Sequence, residues 1–375
     1  MRTTPYVLLA LALGAAPLAS RAEEPAPAGT VSATSTPTAG PTPAAALPTN
    51  ATETEKCLVC HGKDAGELLL ESGETLSLAV DPAAMAASAH GRKVVCSDCH
   101  QDLLDAETPH RKLRLASKRD FAIQFSEGCK KCHAANYTDT LDSVHREQIT
   151  KGKRTAAVCS DCHGAHDITP AAEPRSKIAR TCATCHEKIS AAYVGSVHGK
   201  ALSTGNEDVP TCTDCHRSHA IADARAGAFR LKTPETCGNC HANEKLMGKY
   251  QLSTNVLQSY LSDFHGTTVA MQAGEEGAQP VVALCTDCHG VHDITRVSDP
   301  SSRVIKANLL VTCKKCHPDA RADFPASWLS HYQPSLQKAP LVFLVKAAYW
   351  FFIPFMIGGL ALQIVLHLWR MIVNR

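Results

Sequence analysis

CTDCHGVHDI, residues 285–294, repeats CSDCHGAHDI of residues 159–168 almost letter for letter, and CTDCHRSHAI at residues 212–221 repeats it more loosely. Each string writes Cys-x-x-Cys-His and adds a second histidine three residues later. All 18 cysteines of the 375-residue chain fall into such motifs. In chain order they are Cys57/Cys60/His61, Cys96/Cys99/His100, Cys129/Cys132/His133, Cys159/Cys162/His163, Cys182/Cys185/His186, Cys212/Cys215/His216, Cys237/Cys240/His241, Cys285/Cys288/His289 and Cys313/Cys316/His317, numbered 1 to 9 below. With His at about 5% of the chain, nine such coincidences have odds on the order of 10⁻¹².

The spacing is the one that covalent haem attachment requires. Two thiols add to the two vinyl groups on one porphyrin edge while the adjacent histidine bonds the iron. Zinc ribbons join Cys-x-x-Cys pairs into four-ligand sets and do not demand a histidine after each pair. A redox dithiol usually occurs once, near a βαβ pattern, and a disulfide scaffold imposes no histidine either. The motifs therefore imply nine covalently bound haem c groups, with iron as the metal. Aromatic residues make up only 5% of the chain. The expected fold is mainly α with extensive irregular coil, organised by haems whose apolar faces replace a conventional core.

Nineteen histidines less the nine proximal ones leave ten. His367 lies in an apolar C-terminal segment, so nine remain for nine irons: His90, His110, His145, His166, His198, His219, His265, His292 and His331. These are the candidate distal ligands. His166, His219 and His292 each stand three residues after a proximal histidine, too close to reach the far face of their own haem, and so are expected to serve a neighbour. His110 takes the equivalent slot after motif 2 with a longer spacer. A second group ends short apolar segments in Ser-x-His or a variant, as in EKISAAYVGSVHG (187–199), where Ile189, Tyr193 and Val197 are spaced for a helix that Gly199 would close. EKLMGKYQLSTNVLQSYLSDFHG (244–266) predicts a helix about twice as long, with Leu246, Tyr250, Leu257, Leu261 and Phe264 on one face. Linear spacing does not assign distal histidines to haems.

Residues 1–22 carry Arg2, an apolar run and Ser20-Arg21-Ala22, the pattern of a secretory signal. Residues 23–54 are rich in Pro, Ala and Thr and predict a flexible linker. Residues 55–335 form the nonahaem region, and residues 336–375 a membrane anchor with a short cytoplasmic tail, because residues 347–366 are twenty without a charge. Arg370 and Arg375 follow that stretch and fit the positive-inside rule, although Lys338 and Lys346 on the other side weaken it. The haem domain is then expected outside the cytoplasm, in the periplasm, held by one span to the inner membrane. Removing Arg2 and Arg21 from 38 basic residues leaves 36 against 36 acidic ones. That balance offers no basic footprint for nucleic acid.

The Cys-x-x-Cys-His-Gly-x-His-Asp strings and Ser-Val-His-Gly segments, over about residues 55–335, resemble the multihaem c-type cytochromes with doubled motifs, including the cytochrome c554-like and octahaem groups. Nine haems before an apolar segment are also similar to the haem-c part of cytochrome c/cytochrome b quinone oxidoreductases, although this chain has one span and no multi-helix haem-b domain. The resemblance implies an electron conduit, loaded by a membrane cytochrome b or other quinol-linked subunit and emptied into a periplasmic or outer-membrane acceptor. The alternative is a reductase of nitrite, hydroxylamine or sulfur oxyanions, which needs one iron with an exchangeable sixth position. Nine spare histidines for nine irons, and no motif with lysine in place of the proximal histidine, argue against it. The expectation is an electron-transfer protein without a catalytic residue of its own.

Overall fold

A computed structural model of the chain describes residues 51–91, 93–101, 116–272, 279–327 and 331–374. The expected signal at 1–22, most of the linker and His110 lie outside the described residues.

The protein is a succession of short helices joined by turns, with one long helix at the C-terminal end. A helix runs from Ala51 to His61, so helix begins inside the segment read as linker. The Glu53 carboxylate in its first turn accepts a hydrogen bond from the Ser97 amide at 3.2 Å and ties motif 1 to motif 2. The described strands, Glu67–Leu69 and Thr75–Ser77, pair antiparallel with Leu68 opposite Leu76. Gly73 turns that hairpin at φ 83°, a conformation glycine enters without a Cβ penalty.

The motifs fold locally for a definable reason. In CSDCH and CTDCH the aspartate stands at the third helical position, and its carboxylate accepts the amide of the residue before the first cysteine. Asp161 takes the Val158 amide at 2.7 Å, Asp214 that of Thr211 at 2.6 Å and Asp287 that of Leu284 at 2.8 Å. One carboxylate thus satisfies a backbone donor outside the helix and complements the positive end of the single turn.

The Ser-x-His segments correct the sequence reading. The helix Glu187–Gly195 ends before Ser196, and Ser196 caps a new helix, Val197–Ser203, by accepting the Gly199 amide at 3.1 Å. His198 therefore sits in the first turn of the following helix. Ser143 likewise caps Val144–Thr150, which carries His145, and Asp263 accepts the Gly266 amide at 3.0 Å in the helix Phe264–Gln272, which carries His265. The glycine is needed for close approach rather than for a helix end. A Cβ on Gly199 would lie 2.1 Å from the Tyr193 carbonyl oxygen, and one on Gly266 2.1 Å from that of Tyr260.

Gly199→Ala is accordingly expected to cost about 1–3 kcal/mol, because backbone must shift to admit the methyl group. Thermal unfolding of the haem-loaded protein should give a lower midpoint, and an unchanged midpoint would refute the close-packing role.

The long helix expected over 244–266 is broken. It runs as Glu244–Gly248, Val256–Leu261 and Phe264–Gln272, with Gln251 at φ 54° between the first two pieces. The proposed apolar face dissolves with it, and Phe264 is 93% exposed. The break brings Tyr260 against Val269 and Leu284, a small core that repeats the one formed by Ala179, Tyr193 and Leu202. Both tyrosines donate to a carbonyl just before the next motif, Tyr193 to Pro210 at 2.7 Å and Tyr260 to Ala283 at 2.9 Å.

The C-terminal helix spans Pro340–Val373, 34 residues with a most apolar window of mean hydropathy 2.0. At 1.5 Å per residue it is about 51 Å long, enough to cross a hydrocarbon layer of roughly 30 Å. It is apolar on all sides and exposed along its length, and it contains the expected stretch 347–366. His367 lies on it beside Gln363 and Ile364.

Candidate haem-binding sites

All eighteen cysteines lie among the described residues as free thiols. Their arrangement follows the chain. The Cys129 thiol is pushed up by the hydrogen bond it donates to its neighbour Cys159, whose own value falls to about 7. The same pairing joins Cys57 to Cys96, Cys182 to Cys212 and Cys237 to Cys285. The second cysteines of the even motifs face onward: burial first, then a neighbouring thiol, raises Cys162 next to Cys182 and Cys215 next to Cys237, and burial, then Asp287, then Cys313 raises Cys288, each to about 11. Cys99 is raised by burial, then by Asp98 and by the neighbouring Cys132. Motifs 1 to 9 are consequently adjacent in sequence order, first cysteine to first cysteine within a pair and second cysteine to the next pair.

Cys60 and Cys316, the second thiols of the first and last motifs, are exposed. Cys316 still lies within electrostatic reach of Cys288 of motif 8, whereas Cys60 sits one residue before His61 at the end of the first helix. Exposure also marks Cys99, Cys129, Cys132, Cys162, Cys185 and Cys215. A thiol adds to a vinyl group only where the polypeptide leaves the sulfur open to the porphyrin edge, so burial is not the property that identifies these residues. The motif spacing is.

The histidines pair just as regularly. Ring centroids lie 5.9 Å apart in His90–His133, 6.1 Å in His100–His166, 6.2 Å in His145–His186 and 6.1 Å in His163–His219. The other four pairs are His198–His241 at 6.4 Å, His216–His292 at 5.9 Å, His265–His317 at 6.4 Å and His289–His331 at 6.1 Å. Every pair joins one proximal histidine to one candidate distal histidine. A metal–imidazole nitrogen distance of about 2 Å plus roughly 1.1 Å from nitrogen to ring centre, taken twice, gives about 6.2 Å. The spacing fits an iron held between the two rings.

The pairing obeys two rules. A Ser-x-His or Asp-x-His histidine faces an odd motif further along the chain: His90 faces motif 3, His145 motif 5, His198 motif 7 and His265 motif 9. A histidine that follows a motif faces the even motif before it: His166 faces motif 2, His219 motif 4, His292 motif 6 and His331 motif 8. Backbone bonds hold the two kinds together. The Ala89 amide donates to the Ile168 carbonyl at 2.5 Å, Val144 to Ile221 at 2.7 Å and Val197 to Ile294 at 2.8 Å. Each bond links the residue before one distal histidine to the isoleucine two after another, a role for His-x-Ile that the sequence reading missed.

Burial sets the protonation state. It lowers His100, His145, His163, His166, His216, His241, His289, His292 and His331, and takes His198 down to about 4. Neutral imidazole is the form that binds a metal. Ring orientation is fixed from behind in several cases. His61 turns Nδ1 to the Leu78 carbonyl at 3.0 Å, an outer contact of the kind that orients a ligating imidazole. His219 Nδ1 lies 3.1 Å from the Asn136 amide, and Ser259 Oγ lies 3.4 Å from His331 Nδ1. Phe125, Phe229 and Phe324 pack on His100, His216 and His317 at 4.9, 5.3 and 5.2 Å.

Among the described residues no three His, Cys, Asp or Glu side chains converge as a bare-ion site would need. Haem asks the chain for two axial ligands and two thiols, and the residues present fit it. Residues 147–191 and 204–246 match the family model described as the doubled CXXCH motif. The match supports a multihaem c-type cytochrome with covalently bound haem c, working in electron transfer. No match was found among the curated proteins or among the solved structures.

Proposed function

We propose that the chain is a membrane-anchored, periplasmic nonahaem cytochrome that carries electrons along a row of bis-histidine haems. The observation that carries the proposal is the set of eight facing imidazole pairs, each one proximal and one distal. The count of nine spare histidines for nine irons assigns His110, which lies outside the described residues, to the remaining site at His61. Bound haem supplies reversible one-electron chemistry. The chain's residues do the rest: paired imidazoles keep iron low-spin in both valences, and the cysteine adjacency keeps each motif next to the following one. Motif 9 precedes the apolar helix by 23 residues, from His317 to Pro340, so the row approaches the membrane at its C-terminal end. A quinol-linked cytochrome b or similar subunit of the inner membrane would load that end, and a periplasmic or outer-membrane acceptor would take electrons from the other.

Low-temperature electron paramagnetic resonance of the oxidised protein tests this, once mass spectrometry has counted nine haems. The expected spectrum is low-spin throughout, with no carbon monoxide bound on reduction. A high-spin haem that binds carbon monoxide would replace the conduit with a reductase of nitrite, hydroxylamine or sulfur oxyanions. Membrane vesicles holding the protein with a cytochrome b subunit should reduce it with quinol. Equal reduction without that subunit would remove the proposed partner.

A further inference from the structure

Each even motif carries a carboxylate between its cysteines, and no odd motif does. The residue before the second cysteine is Asp98, Asp161, Asp214 and Asp287 in motifs 2, 4, 6 and 8, and Val59, Lys131, Thr184, Asn239 and Lys315 in the odd motifs. Each even haem therefore attaches beside a carboxylate. In three of the four, an arginine from the segment leading into the preceding odd motif reaches that carboxylate. Arg119 meets both Asp161 oxygens at 2.9 and 2.8 Å, Arg175 meets Asp214 at 2.7 Å, and Arg230 meets both oxygens of Asp287 at 3.2 and 3.3 Å. Arg119 also donates to the Arg154 and Ala156 carbonyls, and Arg175 to that of Val209 at 3.1 Å, just before the even motif. The arginines thus connect motifs 3 and 4, 5 and 6, and 7 and 8, the same pairs whose first cysteines touch.

These ion pairs are about a third exposed, with Arg175 at 34% and Arg230 at 36%. Exposed pairs add little to stability, so their consequence is electrostatic. A carboxylate beside a haem favours the more positive ferric state, and a paired guanidinium cancels that bias without titrating. We infer that Arg119, Arg175 and Arg230 are positioning residues that hold the even haem's potential above the value its motif aspartate alone would set. The inference rests on the haem reading proposed above.

Spectroelectrochemical titration of the haem-loaded, full-length protein tests it through Arg175→Gln, Asp214→Asn and the double variant. A unit charge near a partly exposed site is worth roughly a three- to tenfold change in equilibrium. At a fixed potential, R175Q should lower the reduced-to-oxidised ratio of one haem by that factor, and D214N should raise it. A tenfold change corresponds to about 59 mV for a one-electron couple. The double variant should return near the wild type, and Arg175→Lys, which keeps the charge, should shift least. If both single variants move the haem in one direction, or neither moves any, the inference is overturned. Arg230→Gln and Asp287→Asn repeat the test should the first pair fail to fold. Mass and electron paramagnetic resonance separate the two levels: nine low-spin haems with unmoved potentials sink the inference alone, and missing haems in the wild type sink the reading beneath it.

Discussion

His198→Ala is expected to open one haem, the one attached at Cys237 and Cys240, although the nearest motif in the chain is Cys182/Cys185/His186. The His198 ring faces His241 at 6.4 Å and is buried deeply enough to hold its value near 4. Removing it leaves the iron five-coordinate beside a cavity of imidazole size. The oxidised variant should show one high-spin signal per chain, and the reduced variant should bind one carbon monoxide. The location is tested by combination. In a background whose Cys237 and Cys240 are replaced, so that this haem is never attached, the same substitution should open nothing. In a background lacking the haem at Cys182 and Cys185 it should still open one. The reverse pattern would mean that the ring pairing misassigns the ligand. His198→Met should keep the haem low-spin and raise its potential, because thioether ligation favours the ferrous state.

That assignment marks the boundary between what the sequence discloses and what it does not. The motifs and spare histidines are legible because attachment chemistry fixes a covalent spacing inside one short segment. The eight exposed cysteines, Cys60 and Cys316 among them, show the strength of that signal, since spacing identifies them while burial would not. The partner of each distal histidine is not legible, because His145 and His186, or His216 and His292, meet only when segments far apart in the chain pack together. Gly199 and Gly266 look like helix ends when read one segment at a time. Their actual constraint is a Cβ position 2.1 Å from a carbonyl of the preceding helix, which exists only after two helices meet. The aspartates of the even motifs were in plain view, yet their arginines lie 42, 39 and 57 residues away and signal themselves only through their place before the odd motifs. The single long helix expected over 244–266 fails at Gln251, where nothing in the apolar spacing announces a left-handed residue.

Cells that make the chain without attaching haem should accumulate a protein whose cytochrome region is unfolded. The described buried hydrophobic residues are eleven, among them Leu70, Val95, Met247 and Leu309, scattered between two clusters of three. Such a set cannot offset the entropy of ordering some 280 residues at about 1–2 kcal/mol each. The helices give no independent support, since those between Ala51 and Lys314 are at most eleven residues long, and isolated helices under about 12–15 residues are marginal in water. Porphyrin faces must supply the missing apolar surface, and iron ligation must supply the long-range ties between motifs two apart. Under reducing conditions in detergent, the haem-free chain should lose its near-ultraviolet circular dichroism and any cooperative unfolding transition. Its remaining far-ultraviolet helix signal should come from Pro340–Val373, whose backbone bonds close within one segment and whose apolar surface the detergent covers. A haem-free chain that still melts cooperatively would mean that side-chain packing alone specifies the fold, and would remove the haems from their structural role while leaving the ligand pairing untouched.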